Sequence, residues 1–346
     1  MESHEIVQRA IEFRSPERLP LRYFFDSERS DMIQLRYGAP IDWVPQVEGE
    51  DEFGCIWKGC IWDSEGDLRY FGQVDYERSP IKSWEDYDRF QWPDPHASGR
   101  FEALKEQVEI HKSRGKYLVG DMIAVGGNQL GITGYHRLQF LRGFDNFFID
   151  LVLNPEMIRM MIDDLVQYEL GIISELLRAG VDAIWFGDDW GSQYRLLIAP
   201  ELWREIFKPM YKTEFDFVHE HGGHVIVHSC GYVWDIIPDW IEIGADALNF
   251  NQVHIFETED TSGIDRLGEN FRSKVCFICP VDIQKTLIYG KTREIIREAN
   301  HLVSALSTSE GGFIAACDEG KEDGYIPAAS IKAATRAFEV CSHRVS

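Results

Sequence analysis

His228 and Cys230, in the run His224-Val-Ile-Val-His-Ser-Cys-Gly231, place an imidazole and a thiol two residues apart at the end of an apolar stretch. Val225 to Val227 reads as a buried strand, and residues two apart in a strand point to the same face. Polar groups projecting together from a core strand cost stability unless something pairs them, and a soft divalent ion such as zinc does so well. Cys317 ends a second apolar run, Gly311-Gly-Phe-Ile-Ala-Ala-Cys317, and is the natural third ligand. His/Cys/Cys is a catalytic zinc set with one open position, where the ion can polarise an oxygen or bind a thiol and lower its pKa.

Other apolar runs end in reactive groups too. Ala183-Ile-Trp-Phe-Gly-Asp-Asp189 finishes with Asp188 and Asp189, followed by Trp190. Ala247 to Gln252 finishes with amides, Asn249 among them, and Val275 to Asp282 with Cys279 and Asp282. The Cys317 run continues into Asp318 and Glu319, either of which could complete a metal shell or donate a proton. Cys276 and Cys279 have the spacing of a CxxC motif, but a separation of three inside one strand turns them to opposite faces, so Cys276 reads as core and Cys279 as site-lining. His219-Glu-His-Gly-Gly-His224 looks like a metalloprotease helix, yet Gly222-Gly223 breaks it and leaves helix-end and strand-start histidines. Gly126 to Gly134 is glycine-rich without a P-loop lysine or dinucleotide spacing, and reads as a rim loop.

The elements that position these groups alternate. Strand-like runs at Leu21–Phe25, Tyr117–Val119, Ala183–Phe186, His224–His228, Ala247–Asn249, Val275–Ile278 and Phe313–Ala316 are mostly separated by helical stretches, notably Pro155–Leu177, Pro200–His221, 291–307 and 327–341. Such alternation means βαβ units and a parallel sheet, and seven or eight units suit a TIM (β/α)8 barrel, with a doubly wound open sheet as the alternative. In a barrel the C-terminal strand ends share one rim, where active sites sit. Residues 40–95 are irregular and aromatic-rich, which predicts an antiparallel N-terminal insertion in a single domain spanning 1–346.

Composition sets further bounds. With 58 acidic residues against 35 Lys and Arg, the net charge of -23 argues against a nucleic-acid partner. Met1-Glu-Ser-His-Glu has no basic-then-apolar leader and no apolar run is long enough for a bilayer, so a cytoplasmic protein without membrane contact is expected. Seven scattered cysteines, at 55, 60, 230, 276, 279, 317 and 341, then suit buried thiols, ligands or reactive groups better than disulfides.

Phe186-Gly-Asp-Asp-Trp-Gly-Ser-Gln193, Ile198-Ala-Pro-Glu-Leu-Trp-Arg-Glu-Ile-Phe-Lys-Pro209, Val227-His-Ser-Cys-Gly231, Gly244-Ala-Asp-Ala-Leu248 and the stretch from Gly311 to Pro327 resemble the uroporphyrinogen decarboxylase superfamily, most clearly from about 180 to 340. That resemblance implies a TIM barrel. Within it, His-x-Cys followed by a distant Cys is similar to the corrinoid methyltransferase branch, whose zinc ligands carry over onto His228, Cys230 and Cys317. Tyr23 to Ser30 does not match the arginine motif of the decarboxylases, which disfavours decarboxylation. Cys317 arrives sooner than the last cysteine of the coenzyme M enzymes, which leaves the first-step O-demethylase methyltransferases as the most similar group. The resemblance thus implies methyl transfer from a small, methoxylated substrate to a corrinoid protein, with a homodimer as an option. Transfer from methylcorrinoid to a thiol is the reverse alternative. Asp188, Asp189 and Glu319 are the candidates to stabilise or protonate the leaving oxygen, and Asn249, Cys279 and Trp190 the candidate substrate contacts.

Overall fold

The computed structural model describes every residue except 59, 60, 63–67, 71, 72, 126–133, 320–324 and 344–346. Eight strands form one parallel sheet: β1 (Leu21–Arg22), β2 (Met32–Gly38), β3 (Tyr117–Val125), β4 (Ala183–Gly187), β5 (His224–His228), β6 (Ala247–Asn249), β7 (Cys276–Cys279) and β8 (Phe313–Ala316). Each pairs with its chain neighbour from β2 round to β8, and β1 pairs with β8, so the sheet curls into a nearly closed TIM barrel. Only the β1–β2 seam lacks a ladder. There one backbone bond, Asp31 N to Leu21 O (2.8 Å), is joined by side-chain bonds such as Arg22 Nη2 to Gln34 Oε1 (3.0 Å).

The barrel interior changes character along its axis. Met32, Tyr117, Ala183, Ile226, Ala247 and Ile314 fill an apolar floor, sealed from below by Val7, Ala10 and Ile11 of the first helix, Ser3–Ile11. One step towards the C-terminal rim, the inward positions become Arg22, Gln34, Asp121, His228 and Asn249 beside Trp185. The outward positions of the strands pack on the helices in a second, larger core. The longest helix, Pro155–Ala179, starts on proline and stops at Gly180 in the left-handed region (φ 107°), as its sequence dictates.

Some elements differ from expectation. Strand β2 was not anticipated, and the first strand is shorter than Leu21–Phe25. Pro200–His221 forms two helices, Pro200–Ile206 and Lys208–Glu220, broken at Phe207. The insertion is antiparallel, with Trp57–Lys58 on Gln73–Val74 and Ile61–Trp62 on Leu68–Tyr70. Arg100 fastens it to the barrel: its fully buried guanidinium pairs with Glu52 and donates to the carbonyls of Asp94 (2.8 Å) and Gly38 (3.3 Å). None of the six described cysteines forms a disulfide, and Cys60 lies outside the described residues, as does most of the Gly126–Gly134 stretch. Among the described residues no helix is long and apolar enough to cross a membrane.

Behind β4, Glu169 and Glu214 lie within hydrogen-bonding reach of each other, both buried. Burial, with repulsion from Glu169, pushes the Glu214 carboxyl well above its ordinary range, and burial raises Glu169 as well. The native state therefore holds protons that the unfolded chain releases, so these groups lower stability as pH rises from about 4.3. Glu214→Gln removes the Glu214 share of this dependence. Urea midpoints should fall less between pH 5 and pH 8 in the variant than in the wild type, with the variant the more stable at pH 8.

Candidate metal centre

Strand β5 delivers His228 to the rim facing inward, two residues beyond the floor residue Ile226. Its ring is held from behind. Asn249, the paired residue on β6, donates from Nδ2 to the Ile278 carbonyl (2.6 Å), which turns its Oδ1 towards His228 Nδ1 at 2.6 Å. An amide oxygen only accepts, so the network assigns the ring proton to Nδ1 and leaves the Nε2 lone pair facing the mouth.

Cys230 and Asp189 meet that lone pair. Cys230 Sγ lies 3.6 Å from His228 Nε2, and Asp189 Oδ1 lies 3.7 Å from it. Asp189 also accepts from the backbone N–H of Cys230 (2.7 Å), which locks the loops after β4 and β5 together. Gly191 and Gly231 make this contact feasible: a Cβ on Gly231, at φ 80°, would sit 1.9 Å from the Gly191 carbonyl oxygen. Burial alone would raise the Asp189 carboxyl, but the imidazoles of His228 and His136 and the Cys230 N–H outweigh it and hold the group below its usual range. Asp189 thus presents a carboxylate.

The donor set fits zinc. Asp189, His228 and Cys230 offer one oxygen, one nitrogen and one sulfur, all within 4.8 Å of one another. A tetrahedral ion with bonds of about 2.0–2.3 Å spaces its ligand atoms roughly 3.3–3.6 Å apart, close to the separations present before any adjustment. Three protein ligands leave a fourth position for a reacting group. Asn249 is then the outer partner that fixes ring and tautomer. Asn249→Ala should weaken zinc binding about 10–100-fold, read by competition with a chromophoric chelator, while Asn249→Asp, which still accepts, should stay near wild type.

The other sequence-derived candidates fall elsewhere. Cys317 does not join His228 and Cys230. It follows Ala315 on the outward side of β8, its Sγ lies 3.7 Å from the Ala315 carbonyl, and burial pushes the thiol far above its ordinary pKa. Cys279 also faces the helices, its thiol pushed up to about 12 by burial, while Cys276 belongs to the floor. Trp190 is fully buried outside the lumen, packed against a tilted Tyr135 ring (3.8 Å between ring centroids) and bonded through Nε1 to Tyr211 Oη (2.8 Å).

Asp188 points away from the lumen as well, accepting from Tyr211 Oη (2.5 Å) and from the backbone N–H of His136 (3.2 Å), with burial raising its carboxyl. It positions the loop that carries Asp189. Asn249 faces the mouth but is spent on His228. Glu319 is at the mouth, paired with Arg22 (2.6 Å) and reached by Asn251 Nδ2 (3.4 Å). Asp318 caps the backbone N–H groups of Phe24 and Phe25. His219 and His224 bond to Asp246 and Tyr117, as helix-end and strand-start residues.

Sequence reasoning missed Trp185, which lines the floor of the mouth. Its ring stacks on His228 (6.1 Å, 23°), and the Arg22 guanidinium lies 5.1 Å from its centroid. A tryptophan amid the apolar run of β4 carried no signal to separate it from core.

A methyltransferase from Methanosarcina mazei aligns with 98% of this chain and 99% of its own, at 14% identity and a TM-score of 0.65. A chitinase from Chromobacterium violaceum aligns over 92% and 98%, at 10% identity and a TM-score of 0.43. At 14% identity the likeness to the methyltransferase is one of fold. No curated protein matches the sequence. The family model for uroporphyrinogen decarboxylase (URO-D) does match, over residues 72–338, and with a barrel of the same kind around it the chain belongs to the uroporphyrinogen decarboxylase family.

Proposed function

We propose that the protein is a zinc-dependent methyltransferase that moves a methyl group from a small, methoxylated substrate to a corrinoid carried by a partner protein. The observation that carries this reading is the His228 Nε2 lone pair, held by Asn249 and flanked by Cys230 Sγ at 3.6 Å and Asp189 Oδ1 at 3.7 Å. Zinc bound there supplies a Lewis acid for the heteroatom that bears the methyl group. The rest is the work of the chain. Asn249 keeps the imidazole aimed with its Nδ1 proton engaged, and the Gly191–Gly231 contact keeps the carboxylate beside the thiol. Trp185 gives the substrate an apolar plate against His228. At the mouth Glu319 is paired with Arg22, whose guanidinium is the cationic group of that pair.

The test is a methyl-transfer screen. Zinc-loaded protein, a reduced corrinoid protein and a panel of methoxy, methylamino and methylthio donors are combined, and the cobalt absorption bands are followed. Conversion to methylcobalt with at least one donor, lost in His228→Ala, is the expected result. Decarboxylation of a carboxylated substrate by a zinc-free preparation, unaffected by His228→Ala, would replace this reading with a metal-free decarboxylase.

A further inference from the structure

The last two helices, Thr292–Leu306 and Ala328–Ser342, pack side by side and leave an open groove of about 400 Å³ between them. Ala333, Ala337 and Asn300 are the enclosed part of its lining. Asn300 is satisfied within the two helices, donating from Nδ2 to the Ile296 carbonyl (2.6 Å) and accepting from Cys341 Sγ (3.4 Å). Ile296 and Val340 stand at the edges, 42% and 38% exposed.

Lys332 and Arg336 line the same groove, one turn apart. Among the described residues neither has an acidic partner, although the chain carries 58 acidic residues against 35 Lys and Arg. Like charges at this spacing repel along a helix, so the pair costs the fold stability rather than adding to it. The acids of the two helices are committed elsewhere. Glu298 accepts from the Asp282 N–H (2.8 Å) and from Thr286 Oγ1, Glu294 caps the N–H of Lys291 (2.7 Å), and Glu339 pairs with Arg29.

An apolar groove edged by unpaired cations fits the helix-in-groove mode of recognition, in which apolar side chains one turn apart enter the groove and carboxylates meet its edge. From Ala329 to Val340 the lining runs roughly 16 Å at 1.5 Å per residue, the length of about three turns of a docked helix. The charges choose among occupants. A second copy docked symmetrically would bring the same patch, with its own Lys332 and Arg336, against these two cations. A flat anionic membrane would meet the field of a chain of net charge -23 across its whole width. A single acidic helix meets only the local cations.

We propose that this groove is a docking site for an acidic amphipathic helix presented by a partner protein. The two helices follow β7 and β8 back from the C-terminal rim, so Thr292 and Ala329 mark the end of the groove on the side of the mouth. A partner held there sits beside the face on which the metal centre opens, and the assignment does not depend on the chemistry of that centre.

Fluorescence anisotropy at near-physiological salt tests it, with labelled helical peptides of about 14 residues as probes. One peptide has leucines a turn apart flanked by glutamates; a second has lysine for every glutamate, and a third serine for every leucine. A chain of net charge -23 attracts the lysine peptide through its general field, so preference for the glutamate peptide requires a local basic patch. The glutamate–leucine peptide should bind at least about tenfold tighter than either control. Lys332→Glu/Arg336→Glu should abolish that preference with the melting temperature unchanged, and Ala333→Phe should weaken the same peptide by filling the groove. Lys332 and Arg336 are exposed, so the charge-reversed variant carries the test even if Ala333→Phe does not fold. No preference for the glutamate peptide, or a preference that survives charge reversal, overturns the proposal. Self-association, or flotation with phosphatidylglycerol vesicles, that is lost on charge reversal while no peptide binds would assign the groove to a second copy or to lipid instead.

Discussion

His228→Ala is expected to leave the protein folded but without zinc, and to lower methyl transfer by about three orders of magnitude or more. The ring contributes the only nitrogen of the donor set, and its loss leaves Asp189 and Cys230 as a two-point site. Elemental analysis after dialysis should give about one zinc per chain for the wild type and far less for the variant. The informative control is Cys317→Ser. The outward-facing thiol makes no contact with the centre, so zinc content and activity should stay at wild-type levels, whereas Asp189→Asn should lose most of the metal. Zinc lost in Cys317→Ser and kept in Asp189→Asn would show that the ligands are those of the sequence motif rather than those the barrel brings together.

The second large effect concerns the insertion. Arg100→Ala should destabilise the protein by about 3–5 kcal/mol, because the Glu52 carboxylate is left buried without its partner. Side-chain exposure at that pair is 0% and 3%, so solvent does not screen the loss. The denaturant midpoint is the readout. Arg100→Ala with Glu52→Ala should recover a substantial part of the cost, since removing both charges removes the orphan. Equal midpoints for wild type and Arg100→Ala would mean that the insertion does not depend on this clamp.

The barrel was legible because its alternation of strands and helices is strong, and the rim was legible because reactive residues follow apolar runs. Which way those residues face was not. A parallel barrel strand is buried on both sides, so Phe313-Ile-Ala-Ala-Cys317 has no polar face from which to count. Its lumen position is Ile314, and even counting from there turns Cys317 towards the helices. The same ambiguity hid Cys279. In β5 the histidine and cysteine happen to share the lumen parity with Ile226, so the pair came together as expected.

Asp189 was recognised as reactive, but its place beside Cys230 depends on a contact between two loops, across 41 residues of chain, which spacing does not reveal. Strand β2 escaped notice for the opposite reason. Its inward residues, Gln34 and Arg36, are polar and its outward ones apolar, a pattern that reads as a surface strand when seen beside an aromatic-rich stretch.

The seam between β1 and β2 divides the barrel into unequal halves in mechanical terms. Ladders run without interruption on both sides of β4, β5 and β6, so the walls that hold Asp189, His228 and Asn249 cannot spread without breaking rows of backbone hydrogen bonds. At the seam, widening costs one backbone bond and a few side-chain contacts. The enclosure is therefore stiff where ligand geometry must be kept and compliant at β2, so substrates of different girth would be accommodated by movement of that strand while the metal ligands stay in place.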